Sequence, residues 1–346
     1  MKQVYINGVG SVSIQDPLRA LDLASYVPID QAITYAQQPS YKELIAPAML
    51  RRMAKGVKMG IYASQKALDQ AQLAQPEAII TGTGMGCLED SEKFLKSILE
   101  NDEQYLTPTS FIQSTHNTVG AQIALRLQCK GYNFTYVHAA VSFESALLDA
   151  LLQVQTQELN NALVGGIEEI SDYTLSLLQL TEMVNKDFDK PFKEGVNIGE
   201  GATFLCLQNE KTTASYAELV DVSIQHRIAV EDIGGAVEQF LAQNKMLSAD
   251  IDVVVLGENS VNSHQIYFDQ IVETCPAAAQ VHYKHLIGEY DTASAFGVVV
   301  ASSLLKNQAI PASVLKGEQT TTAIKNVLVY NQLRGEDHSL ILLTQC

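Results

Sequence analysis

Two rhythms alternate along this chain. Short runs of consecutive apolar residues give way to stretches in which apolar side chains recur every three or four positions. The runs at 4–9, 78–84, 132–137, 161–167, 203–207, 218–224, 252–256, 280–283, 326–330 and 339–343 have the length and the β-branched or aromatic content of strands. Between them, 50–70 sets Met53, Val57, Ile61 and Leu68 along one side of a helix, and 88–99, 231–243, 265–272 and 294–305 repeat the helical period. A loop opening at Thr107 leads into a further helix that ends near Leu125, and 16–47, with prolines at 17, 28, 39 and 47, reads as a surface excursion. Strands alternating with helices predict an α/β chain whose sheets are mixed or parallel and covered by helices. A second cycle begins near Ala217 with no flexible linker before it. The expected organisation is therefore an N-terminal half, 1–215, and a C-terminal half, 216–346, in one compact duplicated α/β/α/β/α body with two mixed sheets.

The stretch at 132–152 has the clearest local logic. An aromatic, β-branched strand runs into a helix from Val141 that places Ala146, Leu147, Ala150 and Leu151 on one face. Only His138, Ala139 and Ala140 separate them, with no Gly or Pro to spread the junction. A sharp strand-to-helix turn aims the residue at its tip, and the helix N-terminus adds partial positive charge there. Such a position suits a nucleophilic Ser or Cys. Here it is alanine. Ser142 reads as a first-turn or capping hydroxyl, Cys87 as a small packing residue and His138 as a hydrogen-bonded histidine at the strand end.

Composition narrows the function classes. A net charge of -16 argues against nucleic-acid binding, since a phosphate backbone is held by clustered Lys and Arg. Arg51, Arg52, Lys55 and Lys58 form one small basic cluster, which is either a solvated helix face or a contact for an acidic partner. Five cysteines without paired spacing indicate neither a disulfide framework nor zinc, and the histidines show no metal-ligand pattern. No metal and no cofactor are expected. The turn Gly82-Thr-Gly-Met-Gly86 lacks both the Gly-Lys-Ser/Thr of a phosphate loop and GxGxxG spacing, so tight packing explains it better than phosphate binding. No apolar run approaches the roughly 18 to 20 residues of a membrane span, and the start lacks signal-peptide architecture. A reduced, cytoplasmic protein is expected.

Several segments, taken in order, resemble a β-ketoacyl-acyl carrier protein synthase of the thiolase superfold. They are Val4-Tyr-Ile-Asn-Gly-Val-Gly10, Arg51-Arg-Met-Ala-Lys55, Gly82-Thr-Gly-Met-Gly86, Asn117-Thr-Val-Gly-Ala-Gln-Ile123, Ala162-Leu-Val-Gly-Gly-Ile-Glu168, Asp189-Lys-Pro-Phe192 and, most specifically, Ile198-Gly-Glu-Gly-Ala202. The resemblance implies a thiolase-like fold and a dimer built around the strand at 132–137. It also implies a chemistry of one cysteine, which takes the acyl group as a thioester, and two histidines that support decarboxylation and the enolate. Carried over, the nucleophile position falls on Ala140. The first histidine falls on Gly257 or, with a one-residue slip, Glu258. The Lys-x-x-x-Gly-His motif keeps Lys284 and Gly288 but has Glu289 in place of its histidine. The late glycine turn that supplies an oxyanion-hole N–H falls near Leu333-Arg-Gly-Glu-Asp337, with most glycines gone. Lys284, Glu289 and Glu258 are expected to form a buried ion-pair cluster, and His138, Ser142, Phe143, Phe192 and Asn197 to border the pocket.

An alanine methyl forms no thioester, and a glutamate places negative charge where an enolate would develop. The resemblance is thus closest to a catalytically degenerate, chain-length-factor-type homologue. Such a subunit would pair with an active ketosynthase and serve an acyl carrier protein in fatty acid, polyketide or aryl-polyene-type biosynthesis; self-association as a homodimer stays open. Alternatives are an acyl-thioester hydrolase or acyltransferase using Glu258, Glu289 or His138, a stand-alone acyl or carrier-protein binder, and, least expected, an active condensing enzyme.

Overall fold

The computed structural model describes residues 2–17, 21–317 and 323–346. In the first half of the chain the elements are β1 (Tyr5–Val12), α1 (Pro47–Leu50), α2 (Lys55–Ala71), β2 (Ala78–Gly82), α3 (Leu88–Glu100), α4 (Pro108–Ser114), α5 (Thr118–Leu127), β3 (Tyr132–Tyr136), α6 (Ser142–Gln155), β4 (Asn161–Glu168), α7 (Asp172–Leu180) and β5 (Gly201–Gln208). There follow β6 (Ala217–His226), α8 (Ile233–Gln243), β7 (Val253–Leu256), α9 (Gln265–Thr274), β8 (Ala279–His282), α10 (Lys284–Ile287), α11 (Ser294–Asn307), β9 (Leu315–Lys316), β10 (Asn326–Leu333) and β11 (Asp337–Thr344).

The strands lie in the order β3-β2-β4-β5-β1-β6-β11-β10-β7-β8-β9. Within β3-β2-β4-β5-β1 the first two pairings are parallel and the next two antiparallel. The group β8-β7-β10-β11-β6 repeats that order and those senses. The two mixed sheets expected from the sequence are these two groups. They meet where Tyr5 pairs with Glu218 and Ile6 with Ala217, so hydrogen bonding runs through both.

Alternation along the strands assigns the layers. In β7, Val253 and Val255 point into the cluster shared with α6 and α11, whereas Val254 and Leu256 point outward against α8 and α9. Ala146, Leu147, Ala150 and Leu151 of α6 join Val298, Val299 and Ala301 of α11 between the sheets. Burying a Leu or Val side chain stabilises by roughly 1.5–3 kcal/mol, which makes this middle layer the principal core. On the far side of the first sheet, Val57, Ile61 and Leu68 of α2 pack on Ile79, Leu163 and Phe204. A Cβ on Gly8 would lie 1.9 Å from the Ala67 carbonyl oxygen, so glycine in β1 is what lets α2 approach.

The helix expected over 50–70 is broken. Ala54 is extended, with ψ 155°, and its N–H donates to Gln113 Oε1. α2 therefore starts at Lys55, and Arg51 and Arg52 fall in the preceding turn rather than on a helical face.

Candidate active-site cavity

The elbow after β3 is held by a hydroxyl. Ser142 Oγ accepts the His138 N–H at 2.8 Å and lies 2.7 Å from the Ala139 carbonyl and 3.0 Å from that of Thr83. Behind it, a Cβ on Gly82 would lie 2.5 Å from the Ser142 backbone. One turn of 3₁₀ helix, Ala139–Val141, precedes α6. Because of that turn the tip that borders the cavity is Ala139, with φ 46°, and not Ala140, which is buried behind it. A non-glycine residue in this region carries a steric cost of about 1–2 kcal/mol. The expectation for the tip was therefore one residue too far along the chain.

Across the cavity stand residues of the second half. Lys284 Nζ donates to Glu289 Oε2 at 2.8 Å and to Asn331 Oδ1 at 2.9 Å, and Asn259 Nδ2 donates to the same Glu289 oxygen at 3.0 Å. Glu258 takes no part. It turns the other way and pairs with Lys316 at 2.6 Å. Successive residues after β7 face opposite sides, so Asn259 looks into the cavity while Glu258 looks out. Gly257 is packed too tightly for a side chain: a Cβ there would lie 2.3 Å from Asn331 Oδ1.

A cavity of about 1020 Å³ lies between the elbow and these residues. One wall is apolar, with Leu175, Leu178, Val184, Val196 and Ile198. The other is acidic, formed by Glu168, Glu169, Glu289 and Asp291 with Tyr290 beside them. Glu168 accepts the Gly84 N–H at 2.5 Å, the Met85 N–H at 3.2 Å and the Thr83 hydroxyl at 3.1 Å. Burial, and then the neighbouring Asp291, still pushes its carboxyl well above the usual range. Burial together with Glu289 pushes Asp291 up to about 6. Glu169 bridges the starts of α2 and α3, accepting the Gly56 N–H at 2.6 Å and the Glu89 N–H at 3.0 Å, and burial raises it to about 7. His264 also borders the cavity; burial lowers its pKa, and its Nδ1 has no partner.

None of the residues expected to border the pocket does so. His138 lies on the outer face of the elbow, with Nδ1 3.0 Å from Ser145 Oγ. Ser142 is spent on the turn, and Phe143 is fully buried in the middle layer. Asn185 collects the other two, accepting the Phe192 N–H at 2.8 Å and donating to Asn197 Oδ1 at 3.0 Å. Sequence reasoning passed over Glu168, Asn259, His264, Tyr290, Asp291 and Arg334. Their usable signal is position: Glu168 and Asn259 sit at or just past the C-terminal ends of the parallel strands β4 and β7, where α/β sites collect.

β3 forms the outer edge of the sheet and carries an aromatic ladder. Tyr132 stacks on Phe134, with ring centroids 6.0 Å apart, Phe134 meets Tyr136 at 4.9 Å, and Tyr136 meets His138 at 5.8 Å. Phe134 is 46% exposed, a large apolar side chain on an open edge. Among the described residues no group of three His, Cys, Asp or Glu is arranged to hold a metal ion, and no helix is long and apolar enough to cross a membrane.

A duplicated, layered sheet with an elbow facing a cavity defines the thiolase-like class. Residues 33–213 match the family model for the N-terminal domain of β-ketoacyl synthases, and the chain belongs to the β-ketoacyl synthase family. Comparison with curated proteins gives no match. Among solved structures, the ishigamide ketosynthase/chain length factor superposes with a TM-score of 0.80 at 18% identity, covering 100% of this chain and 99% of that one. A β-ketoacyl synthase from Burkholderia phymatum STM815 gives 0.80 at 17% identity, with 100% of both chains covered. The ketosynthase ApeO in complex with its chain length factor ApeC, from Xenorhabdus doucetiae, gives 0.78 at 17%, covering 100% of this chain and 98% of that one. At these identities the likeness establishes a common fold.

Proposed function

We propose that this chain is a non-catalytic ketosynthase-like subunit of the chain-length-factor type, pairing in the cytoplasm with an active β-ketoacyl synthase that works on an acyl carrier protein. One observation carries the reading: the elbow keeps its shape while an alanine methyl occupies the tip that faces the cavity. No bond to an acyl carbon forms there at any pH. Across from it, Glu289, paired with Lys284 and Asn259, stands where the resemblance puts the second histidine, and Gly257 or Glu258 where it puts the first. The exposed aromatic edge of β3 is a fitting partner surface, and two of the superposable structures pair a ketosynthase with a chain length factor. The cavity draws Ala139 and Glu168 from 1–215 and Asn259, Glu289 and Asp291 from 216–346, the division of the duplicated body that we propose.

Co-expression with a Cys-His-His synthase and its carrier protein tests this. A 1:1 complex, in which the chain alone turns over no acyl or malonyl carrier protein, is the expected outcome. Condensation by the isolated chain, or a homodimer indifferent to the synthase, overturns it. A second reading, acyl-thioester hydrolysis, is favoured by the unpartnered ring of His264 at the cavity wall. It requires release of free acid from acyl carrier protein, abolished by Glu289→Ala or His264→Ala.

A further inference from the structure

The acidic wall of the cavity has more acceptors than donors. Glu168 already receives three hydrogen bonds from the turn at Thr83, Gly84 and Met85. Asp291 borders the same turn, since a Cβ on Gly84 would lie 1.8 Å from Asp291 Oδ2. Among the described residues, however, no donor and no cation lies within hydrogen-bonding distance of its carboxyl. Tyr290, the next residue back, is 8% exposed and its hydroxyl has no partner; burial, and then the negative charge of Glu168, Glu289 and Glu200, push its pKa up. The buried cations are committed elsewhere, Lys284 to Glu289 and Asn331 and Lys55 to Glu200 and Glu89. Arg334 and Lys193 also line the cavity but stand exposed, and the pull of Arg334 and Lys284 on the Asp291 carboxyl is outweighed by burial and Glu289.

Two adjacent carboxyls withdrawn from water cannot both be charged without a counter-ion, and a buried hydroxyl without a partner loses its hydration for nothing in return. A ligand bearing N–H donors and a positive charge answers both deficits; a carboxylate would add a third negative charge. Elsewhere in the lining Leu175, Leu178, Val184, Val196 and Ile198 offer an apolar surface suited to an apolar chain. We propose that the cavity takes a ligand made of an apolar chain ending in a primary amine, its ammonium held by Asp291, Glu168 and the Tyr290 hydroxyl oxygen. The inference rests on reading this cavity as an acyl-type site, and it gives that site a selectivity opposite to one for a malonyl carboxylate.

The test is calorimetry on the full chain at near-physiological salt with octylamine, octan-1-ol and octanoate. Octylamine is expected to bind once per chain, saturably and about tenfold tighter than octanol, with octanoate weaker than both. Asp291→Asn removes the preference for the amine while leaving octanol unchanged, and Tyr290→Phe weakens it. Glu103→Gln, an exposed acid elsewhere on the surface, leaves the amine affinity as it was and so separates the site from general attraction to a protein of charge -16. Octanoate binding as tightly as octylamine, several equivalent amine sites, or an Asp291→Asn protein that folds and keeps the preference each overturns the proposal. A chain that prefers the amine yet binds no synthase retains this inference and loses the subunit reading; a 1:1 complex with no amine preference does the reverse.

Discussion

Lys284 Nζ lies 2.8 Å from Glu289 Oε2, with the lysine side chain only 2% exposed. A pair this deep is held together because neither member tolerates the absence of the other. Lys284→Met is expected to destabilise the chain by about 3–5 kcal/mol, since it strands a buried carboxylate. Lys284→Met combined with Glu289→Leu should recover most of that loss. Urea melts decide it, and a single variant as stable as the parent would contradict the pairing.

Ala139 faces the cavity and Ala140 is buried behind it. In a background with Cys129 and Cys346 changed to Ser, Ala139→Cys should be alkylated by iodoacetamide within minutes. Ala140→Cys should resist, as should the buried Cys87, Cys206 and Cys275. Mass spectrometry of the labelled peptide reads the difference, and faster labelling at position 140 would reverse the assignment.

Acid and base act in opposite directions on this fold. Asp291 and Glu169 are raised by burial to about 6 and about 7, so the folded chain binds more protons than the unfolded one between their ordinary values and these. Their contribution is full below about pH 4 and is lost as pH rises through 6 to 7. His282, stacked on His285 at 3.8 Å, is lowered by burial to about 4; its contribution is present above about 6.5 and is lost as pH falls toward 4. Asp291→Asn should therefore flatten the fall in melting temperature between pH 4 and 7, and His282→Phe should raise the acid side. Melting curves across that range check both signs.

The aromatic ladder on β3 offers a surface rather than a core. Phe134→Glu should abolish pairing with a partner subunit on size exclusion with light scattering, while the stability of the isolated chain shifts by no more than about 0.5 kcal/mol. Complex formation surviving that change would place the partner elsewhere.

The order of strands and helices was legible because apolar runs and helical periods are local properties. The break before Lys55 was not, because it depends on Gln113, distant in sequence, taking the Ala54 N–H. In the cavity, the pairing of Lys284 with Glu289 was expected because the motif carried over from the resemblance puts both at one site, and it is present. Glu258 was misplaced because side chains alternate after β7, and a one-residue uncertainty there moves a group from one face to the other. The same one-residue slip separated Ala140 from Ala139, for a turn of 3₁₀ helix leaves no mark in an Ala-Ala-Val sequence. Glu168 escaped notice for a different reason. A carboxyl at the end of a hydrophobic strand looks like a solvated strand end until the opposite half of the molecule closes over it.

The turn at Ala139 is held by Ser142 and by the room that Gly82 leaves, not by anything the alanine contributes. The socket therefore exists independently of its occupant, at the start of a helix whose dipole would favour a thiolate. A single substitution would equip it with a thiol, but not with groups that carry an acyl chain onward. The result would be a covalent trap, loading once from an activated thioester and holding the chain, a device for recording which acyl groups pass through this cavity.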